Sequence, residues 1–386
     1  MKKSTPSIVK QMNRDLIINE LRKRPNQSRA DLSKITKLSK PTVSELVKEL
    51  IDEGLIIETG VGPSSGGKKP INLVYNARFT YVIGIFIENN TIYCALGDMN
   101  GEIVNLQEKK FTLLTDGEII IDYIVGSIMN LLDTESIGMD KVLGIVLGVS
   151  GIKIDSDDLI SFSPTIKWGN INIKKELSIR LNKEVIVEND VNLMTIGEFY
   201  KGQGKNKSNF VYLFIGNGIG SGLFLDGKLL KGHHSASGEI GYMMIGGEKD
   251  LKPDLGVFEK NFGLFGIKEK LIRKRIISED YKVDSILKIL QQRSNSDVSK
   301  FLDEIIYHWA KATINIISVV DPEVVIVSGE LMHLDEKSLK KFKDYIERYV
   351  PKMPEIKVTE LGSEAGIYGA VHLALESFET PALNNK

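Results

Sequence analysis

SRADLSKITKLSKPTVSELVKELIDEG, residues 28–54, reads as two short helices joined by a tight turn. Ser28 suits the N-cap of the first, and Leu32 and Ile35 give it a small apolar side. Thr36, Lys37 and Leu38 form the turn. Ser39 caps a longer helix with Pro41 in its first turn, where a missing N–H costs little. Val43, Leu46, Val47, Leu50 and Ile51 recur at i, i+3, i+4, i+7 and i+8, one face of that helix. Gly54 ends it. The opposite face carries Pro41, Thr42, Glu45, Lys48 and Asp52, with Lys40 and Ser44 at its margins. In a helix-turn-helix the N-terminal part of the second helix meets base edges in the major groove. Lys40, Thr42, Ser44, Glu45 and Lys48 carry polar groups suited to that contact. These residues alone leave open an ordinary helical hairpin with a solvated face.

Upstream, Ile8 to Arg24 is expected to be helical. Ile8, Met12 and Leu16, with Ile17, Ile18 and Leu21, form an apolar stripe that could pack on the hairpin. Arg22, Lys23, Arg24 and Pro25 close it. Downstream, Leu55–Glu58 and Ile71–Tyr75 read as short strands around a tip that includes Gly66, Gly67, Lys68 and Lys69. Two strands with a basic, glycine-rich tip make a wing. Its glycines permit close approach to DNA, and its lysines can meet phosphates. A flexible interdomain linker is the alternative. Residues 1–78 hold fifteen Lys and Arg against eight Asp and Glu, a surplus of +7. The total is −1, so residues 79–386 carry −8. A basic N-terminal module on an acidic body is the charge footprint of a DNA-binding domain tied to something else.

The 386 residues are enough for two or three domains. No run of eighteen apolar residues exists, so no membrane-spanning helix is expected. The N-terminus has no signal-peptide pattern. A single cysteine, Cys94, excludes an intrachain disulfide framework and any cysteine-cluster zinc site. A cytoplasmic location fits.

From Phe79 onward the texture is α/β. Residues 81–104 read as a strand hairpin with Asn100-Gly101 as its turn signal. VLGIVLGVSG (142–151) is a buried strand leaving through a glycine-rich turn. Glu184–Glu188 is a short strand before a helix over Val191–Tyr200. Residues 209–232 form a second strand–glycine turn–strand unit. Two strand hairpins, near Ile83 and near Tyr212, suggest a duplicated architecture.

Asn189 and Asp190 follow a strand directly, where α/β proteins bind ligands. An Asp beside an Asn can hold sugar hydroxyls or act as a base on one. Either could equally cap the following helix. GNGIGSG (216–222) could cradle a phosphate through backbone N–H groups, but glycine turns between strands are common. His233 and His234 lie nearby without cysteine partners, so no metal site is expected.

Taken in order, VLGIVLGVSGIKID (142–155), VIVENDVNLMTIGE (185–198), VYLFIGNGIGSGLFLDGKLLKG (211–232), SGEIGYM (237–243) and DPEVVIVSGE (321–330) resemble the ROK family. That family joins sugar kinases and sugar-responsive regulators on an actin-like ATPase fold. The N-terminal module followed by SSGGKKPINLVYN (64–76) resembles its regulator branch, especially the xylose-responsive repressors. The resemblance implies a winged helix-turn-helix over residues 1–78. It implies an actin-like α/β ATPase (ROK) body of two duplicated lobes over 79–386. It also implies sugar contacts at Ser150, Gly151, Trp168, Asn189, Asp190, Glu239 and Glu259, with Tyr242 where the family places a sugar-contacting His.

The chain also departs from the family. ROK kinases carry an Asp-x-Gly-Gly-Thr phosphate loop. Here GIFIENNT (84–91) puts Phe86 for the Asp and Glu88-Asn89 for the glycines. A carboxylate where phosphate must approach is repulsive, so nucleotide binding is not expected. Tyr242 stands for the zinc-site His, and GVFE (256–259) for the family's Gly-Cys-x-Glu, so zinc is not expected either. Packing by Tyr242, Val257 and Phe258 is expected to hold that loop instead. The resulting expectation is a homodimeric, cofactor-free repressor. It binds operator DNA and is released by a sugar inducer, with xylose the sugar the resemblance points to. A ROK sugar kinase that also binds DNA, and a regulator with a vestigial sugar site, are the other readings.

Overall fold

Ser28 and Ser39 begin the helices expected of them. The computed structural model describes residues 6–61, 70–151, 153–154, 159–160, 165–245, 256–280, 286–292 and 296–378. Its first domain holds α1 (Pro6–Lys23), α2 (Arg29–Thr36), α3 (Lys40–Asp52), β1 (Ile56–Val61) and β2 (Ile71–Tyr75). Ser28 and Asp31 form a reciprocal capping box on α2, and Ser39 Oγ accepts the Thr42 N–H at the start of α3. Lys37 takes the left-handed conformation that turns the chain between the helices (φ 60°), and Gly54 does so after α3 (φ 83°). β1 and β2 pair antiparallel, with Ile56 opposite Tyr75 and a bulge between Glu58 and Gly60. Gln27 adds an isolated bridge to Leu73. The pair is a wing attached to three helices. Its tip, with Gly66, Gly67, Lys68 and Lys69, lies outside the described residues.

The expectation for α1 needs correction. Ile17, Ile18 and Leu21 are buried against Leu32, Val43, Val47 and Leu50. Ile8, Met12 and Leu16 are not; Met12 is 63% exposed. Lys10 and Arg14 explain the difference. They share the face of Ile17, Ile18 and Leu21 and pair with Glu49 and Glu53 of α3. Residues 8, 12 and 16 each lie two positions earlier, about 200° round the helix. The expected stripe therefore holds for Ile17, Ile18 and Leu21 and fails for Ile8, Met12 and Leu16.

The body has two lobes of identical topology. The first contains β3 (Tyr81–Glu88), β4 (Thr91–Asp98), β5 (Ile103–Lys110), β6 (Thr115–Asp116), α4 (Gly117–Glu135), β7 (Val142–Val149), β8 (Lys153–Ile154), β9 (Leu159–Ile160), β10 (Ile166–Lys167), α5 (Ile173–Leu181), β11 (Val185–Asn189) and α6 (Asp190–Lys201). The second contains β12 (Phe210–Ile215), β13 (Ile219–Leu225), β14 (Lys228–Leu229), α7 (Val257–Phe262), α8 (Leu264–Arg273), α9 (Ile286–Gln292), α10 (Ser296–Val320), β15 (Val324–Gly329), α11 (Glu336–Tyr349), β16 (Glu355–Val358) and α12 (Glu364–Phe378). The main sheets run β11-β7-β3-β4-β5 and β14-β13-β12-β15-β16. In each, a three-stranded antiparallel meander is followed by two parallel strands. The duplication expected from the two hairpins is present.

Helices α6 and α12 lie between the two sheets. One apolar cluster joins Val82, Phe86 and Val146 of the first sheet to Tyr212 and Ile326 of the second through residues of both helices. The outer faces are covered separately, by α4 and α5 on one lobe and by helices including α10 and α11 on the other. Strand alternation puts Val82, Phe86 and Glu88 on the face of β3 turned toward the central helices. Phe86 is fully buried there, because Gly366 leaves room for its ring: a Cβ on Gly366 would fall 2.3 Å from it.

Candidate functional sites

The first site is the outer face of α3. Val43, Leu46, Val47 and Leu50 are buried, while Lys40, Pro41, Ser44, Glu45 and Lys48 are exposed. This division matches the amphipathic pattern of residues 40–52. Thr42 is half-buried, with its hydroxyl 2.8 Å from Ser39 Oγ. That contact fixes its rotamer and turns its methyl group into a defined feature of the helix start.

The second site lies where the two lobes meet. β7 and β11 are parallel neighbours, with Val149 opposite Asn189. Ser150-Gly151 and Asn189-Asp190 therefore leave the sheet side by side at its carboxyl edge. Gly151 adopts φ 119°, which favours glycine. Asn189 caps α6, its Oδ1 accepting the Asn192 N–H at 3.1 Å, and Asp190 Oδ1 accepts the Val191 N–H at 2.9 Å. The capping role expected as an alternative is thus real, and it orients both residues at the start of α6.

Four carboxylates gather around this point. Burial, with Glu88 and Glu239 nearby, pushes Asp190 up to about 7. Glu88 is raised mainly by burial, against a hydrogen bond from Ser363, and its Oε2 is enclosed without a hydrogen bond among the described residues. Glu239 is raised by burial and by the charge of Glu259. Glu259 is raised by burial although its Oε2 accepts the Ile219 N–H at 2.8 Å, a bond that holds the start of β13. Such a wall offers acceptors to hydroxyl groups and repels phosphate.

Glu188 behaves differently. Burial alone would raise it, but Lys231 at 2.6 Å, Asn192 at 3.0 Å and the Asn189 N–H at 3.0 Å hold it below the usual carboxylate range. Lys231 follows β14, so this ion pair ties the second lobe to the strand carrying Asn189 and Asp190. Sequence reading passed over Glu188, Lys231 and Asn192. The available signal was a glutamate ending the apolar run VIVEND.

Two residues sit differently from the expectation. Trp168 is only 3% exposed and packs against Gly117 within the first lobe's core, so it presents no open face for stacking on a sugar ring. Its Nε1 is enclosed without a hydrogen bond among the described residues. Tyr242 is 48% exposed, so it does not help hold its loop by burial, whereas Val257 and Phe258 do. The correction has a simple cause: Tyr242 ends a single 3-10 turn, Ile240–Tyr242, whose buried residues are Ile240 and Gly241. Zinc does not fit the residues here, since Tyr242, Val257 and Phe258 include no thiolate or imidazole. Nucleotide fits poorly at the β3–β4 turn, where Phe86 is buried and Glu88 faces Asp190. Among the described residues no group of three or more His, Cys, Asp or Glu could hold a metal ion, and no helix is long and apolar enough to cross a membrane.

A winged helix-turn-helix joined to a duplicated two-lobed α/β body with an acid-lined cleft defines the class: a DNA-binding protein with a ligand-binding body. Residues 14–57 match the winged helix-turn-helix DNA-binding family and residues 82–377 match the ROK family. The chain belongs to the ROK family. It is 27% identical over 391 residues to the xylose repressor of Caldicellulosiruptor bescii, covering 96% of each chain. It is 25% identical over 307 residues to the glucokinase of Halalkalibacterium halodurans, covering 75% of this chain and 93% of that one. Its fold resembles the crystal structure of a ROK family transcriptional regulator, a homologue of the E. coli MLC protein. The TM-score is 0.74 at 18% identity, over 95% of this chain and 96% of that one.

Proposed function

We propose that this chain is a sugar-responsive transcriptional repressor. It holds operator DNA through α3 and the wing, and it releases that DNA when a sugar, xylose, enters the interlobe cleft. The observation carrying this reading is the pairing of a DNA-binding domain with a cleft that keeps Asp190 but replaces the kinase phosphate loop by Phe86 and Glu88. Binding without phosphoryl transfer is what a sensor requires. Ser150, Gly151, Asn189, Asp190, Glu239 and Glu259 supply acceptors and donors for sugar hydroxyls. Tyr242, 48% exposed, is free to add a hydroxyl to them, whereas Trp168 stays in the first lobe's core. Xylose is favoured by the resemblance to xylose repressors over nearly the whole chain. A homodimer with its operator arranged as two half-sites is the matching assembly.

A gel-shift titration tests the reading. Xylose should weaken operator binding, and a chain whose operator affinity ignores every pentose and hexose is not a sugar-released repressor. The kinase alternative draws on Asp190, which stands where a base on a sugar hydroxyl would stand. A coupled assay with ATP and a sugar panel should give no turnover; turnover abolished by Asp190→Asn would instead establish a kinase.

A further inference from the structure

Helix α6 begins at the proposed sugar cleft and ends beside the β4–β5 turn, which the DNA-binding domain also touches. Asp190 is its first residue, Tyr200 and Lys201 its last two. Twelve helical residues span roughly 16–18 Å at about 1.5 Å per residue. At the far end, the Tyr200 ring stacks on His372 of α12 at 4.0 Å, with planes 2° apart, and its hydroxyl donates to Glu376. Lys201 pairs with Glu102 at 2.6 Å. Both contacts bear on the β4–β5 turn. His372 lies directly against Gly101, where a Cβ would fall 2.3 Å from Cε1.

The DNA-binding domain grips that same turn as well, and Arg22 and Lys23 line one cavity together with Met99, Tyr200 and His372. The Met99 N–H donates to the Ala77 carbonyl at 2.9 Å, just beyond the wing, and the Met99 carbonyl accepts from the Arg22 guanidinium of α1. Arg22 also lies over the Tyr75 ring at the end of β2, 4.8 Å from its centroid. The path from Asp190 to α1 is therefore continuous.

The path is also stiff. A Cβ on Gly197 would fall 1.9 Å from the Ala365 carbonyl oxygen, and one on Gly369 would fall 1.8 Å from that of Leu193. Backbone lies against backbone, so α6 and α12 pack as one unit. Yet the contact at the far end is incomplete. His372 is 8% exposed, and its Nε2 makes no hydrogen bond among the described residues. A small shift that gives this nitrogen a partner would offset the cost of its enclosure.

We propose that the α6–α12 pair is a rigid lever, with Tyr200, Lys201 and His372 as its output, transmitting occupancy of the cleft at Asp190 to α1 through the clasped β4–β5 turn. This rests on the repressor reading above and names its regulation. Sugar drawing Asn189 and Asp190 toward the second lobe displaces the whole helix, and the turn held by Arg22 and Ala77 moves with it. Coupling needs no contact between sugar and the DNA-binding domain, only two arrangements that both sites bias.

The test measures operator affinity of the full chain by fluorescence anisotropy, with and without saturating xylose, and xylose affinity by calorimetry. The variant Tyr200→Leu/Glu102→Gln should bind xylose alone and operator alone within about twofold of wild type. The ratio of operator affinities with and without xylose should fall roughly fivefold or more toward unity, about 1 kcal/mol or more of lost coupling. Tyr200→Phe, which keeps the ring stack, should retain most of the ratio. A wild-type chain that responds to xylose alongside a variant that responds equally overturns the lever alone. Loss of xylose binding and operator binding together, with a lowered melting temperature, marks these residues as merely structural and also overturns it. A wild-type chain indifferent to xylose overturns the induction reading and the lever with it.

Discussion

Asp190 shows how one side chain's surroundings set its chemistry. An aspartate ordinarily titrates near 3.8, and here burial among other carboxylates lifts it to about 7. Between those values the folded chain binds more protons than the unfolded chain, so stability falls as pH rises through that window. Asp190→Asn removes this penalty. Without sugar, the variant's melting temperature should climb relative to wild type as pH goes from 5 to 8, and a constant difference would place Asp190 outside the acidic group. On α3, Thr42 is held by Ser39 at the helix start, while Lys68 belongs to the basic tip. Thr42→Ala should relax discrimination among operator variants. Lys68→Ala should weaken binding to every sequence and flatten its salt dependence. Competition binding across half-site mutants checks both, and identical profiles would refute the division of labour.

Elements matter here chiefly through how closely they approach. α6 and α12 touch backbone to backbone at Gly197 and Gly369. Gly197→Ala drives a methyl group into the Ala365 carbonyl and should cost about 1–3 kcal/mol. A lower urea midpoint would record it, and an unchanged midpoint would mean the helices can part cheaply. The periodicity of residues 43–51 identified the buried face of α3 correctly. The same reasoning placed Ile17, Ile18 and Leu21 of α1 correctly but misplaced Ile8, Met12 and Leu16, because Lys10 and Arg14 occupy the inner side there and find Glu49 and Glu53. Apolar spacing cannot reveal a charged inner face whose partners lie about thirty-five residues away.

At the scale of the whole molecule, DNA and sugar compete through the conformation they share. If xylose lowers operator affinity by some factor, operator must lower xylose affinity by the same factor. Calorimetry of xylose into the protein with and without operator duplex should return that equality; a mismatch would mean that a third species, such as a change in assembly, enters the cycle. The resemblance carried by motifs between Val142 and Glu330 made the lobes legible. It did not reveal that Trp168 is enclosed or that Tyr242 is exposed. Those outcomes depend on how Gly117 and the 3-10 turn pack, which no motif encodes.

By itself the sequence determined the helical hairpin, through two serine caps, a tight turn and the period of Val43 to Ile51, all of them local. It also determined the duplicated α/β body, because alternating strands and glycine turns recur in the same order in each lobe. Only the tertiary structure decided that Glu88 stands beside Asp190, that Lys231 reaches Glu188 across the lobes, and that α6 joins the cleft to the clasp on Met99. Those contacts bring together residues from separate elements, and their energies arise from burial and mutual charge, which exist only once the two sheets close on the helices between them.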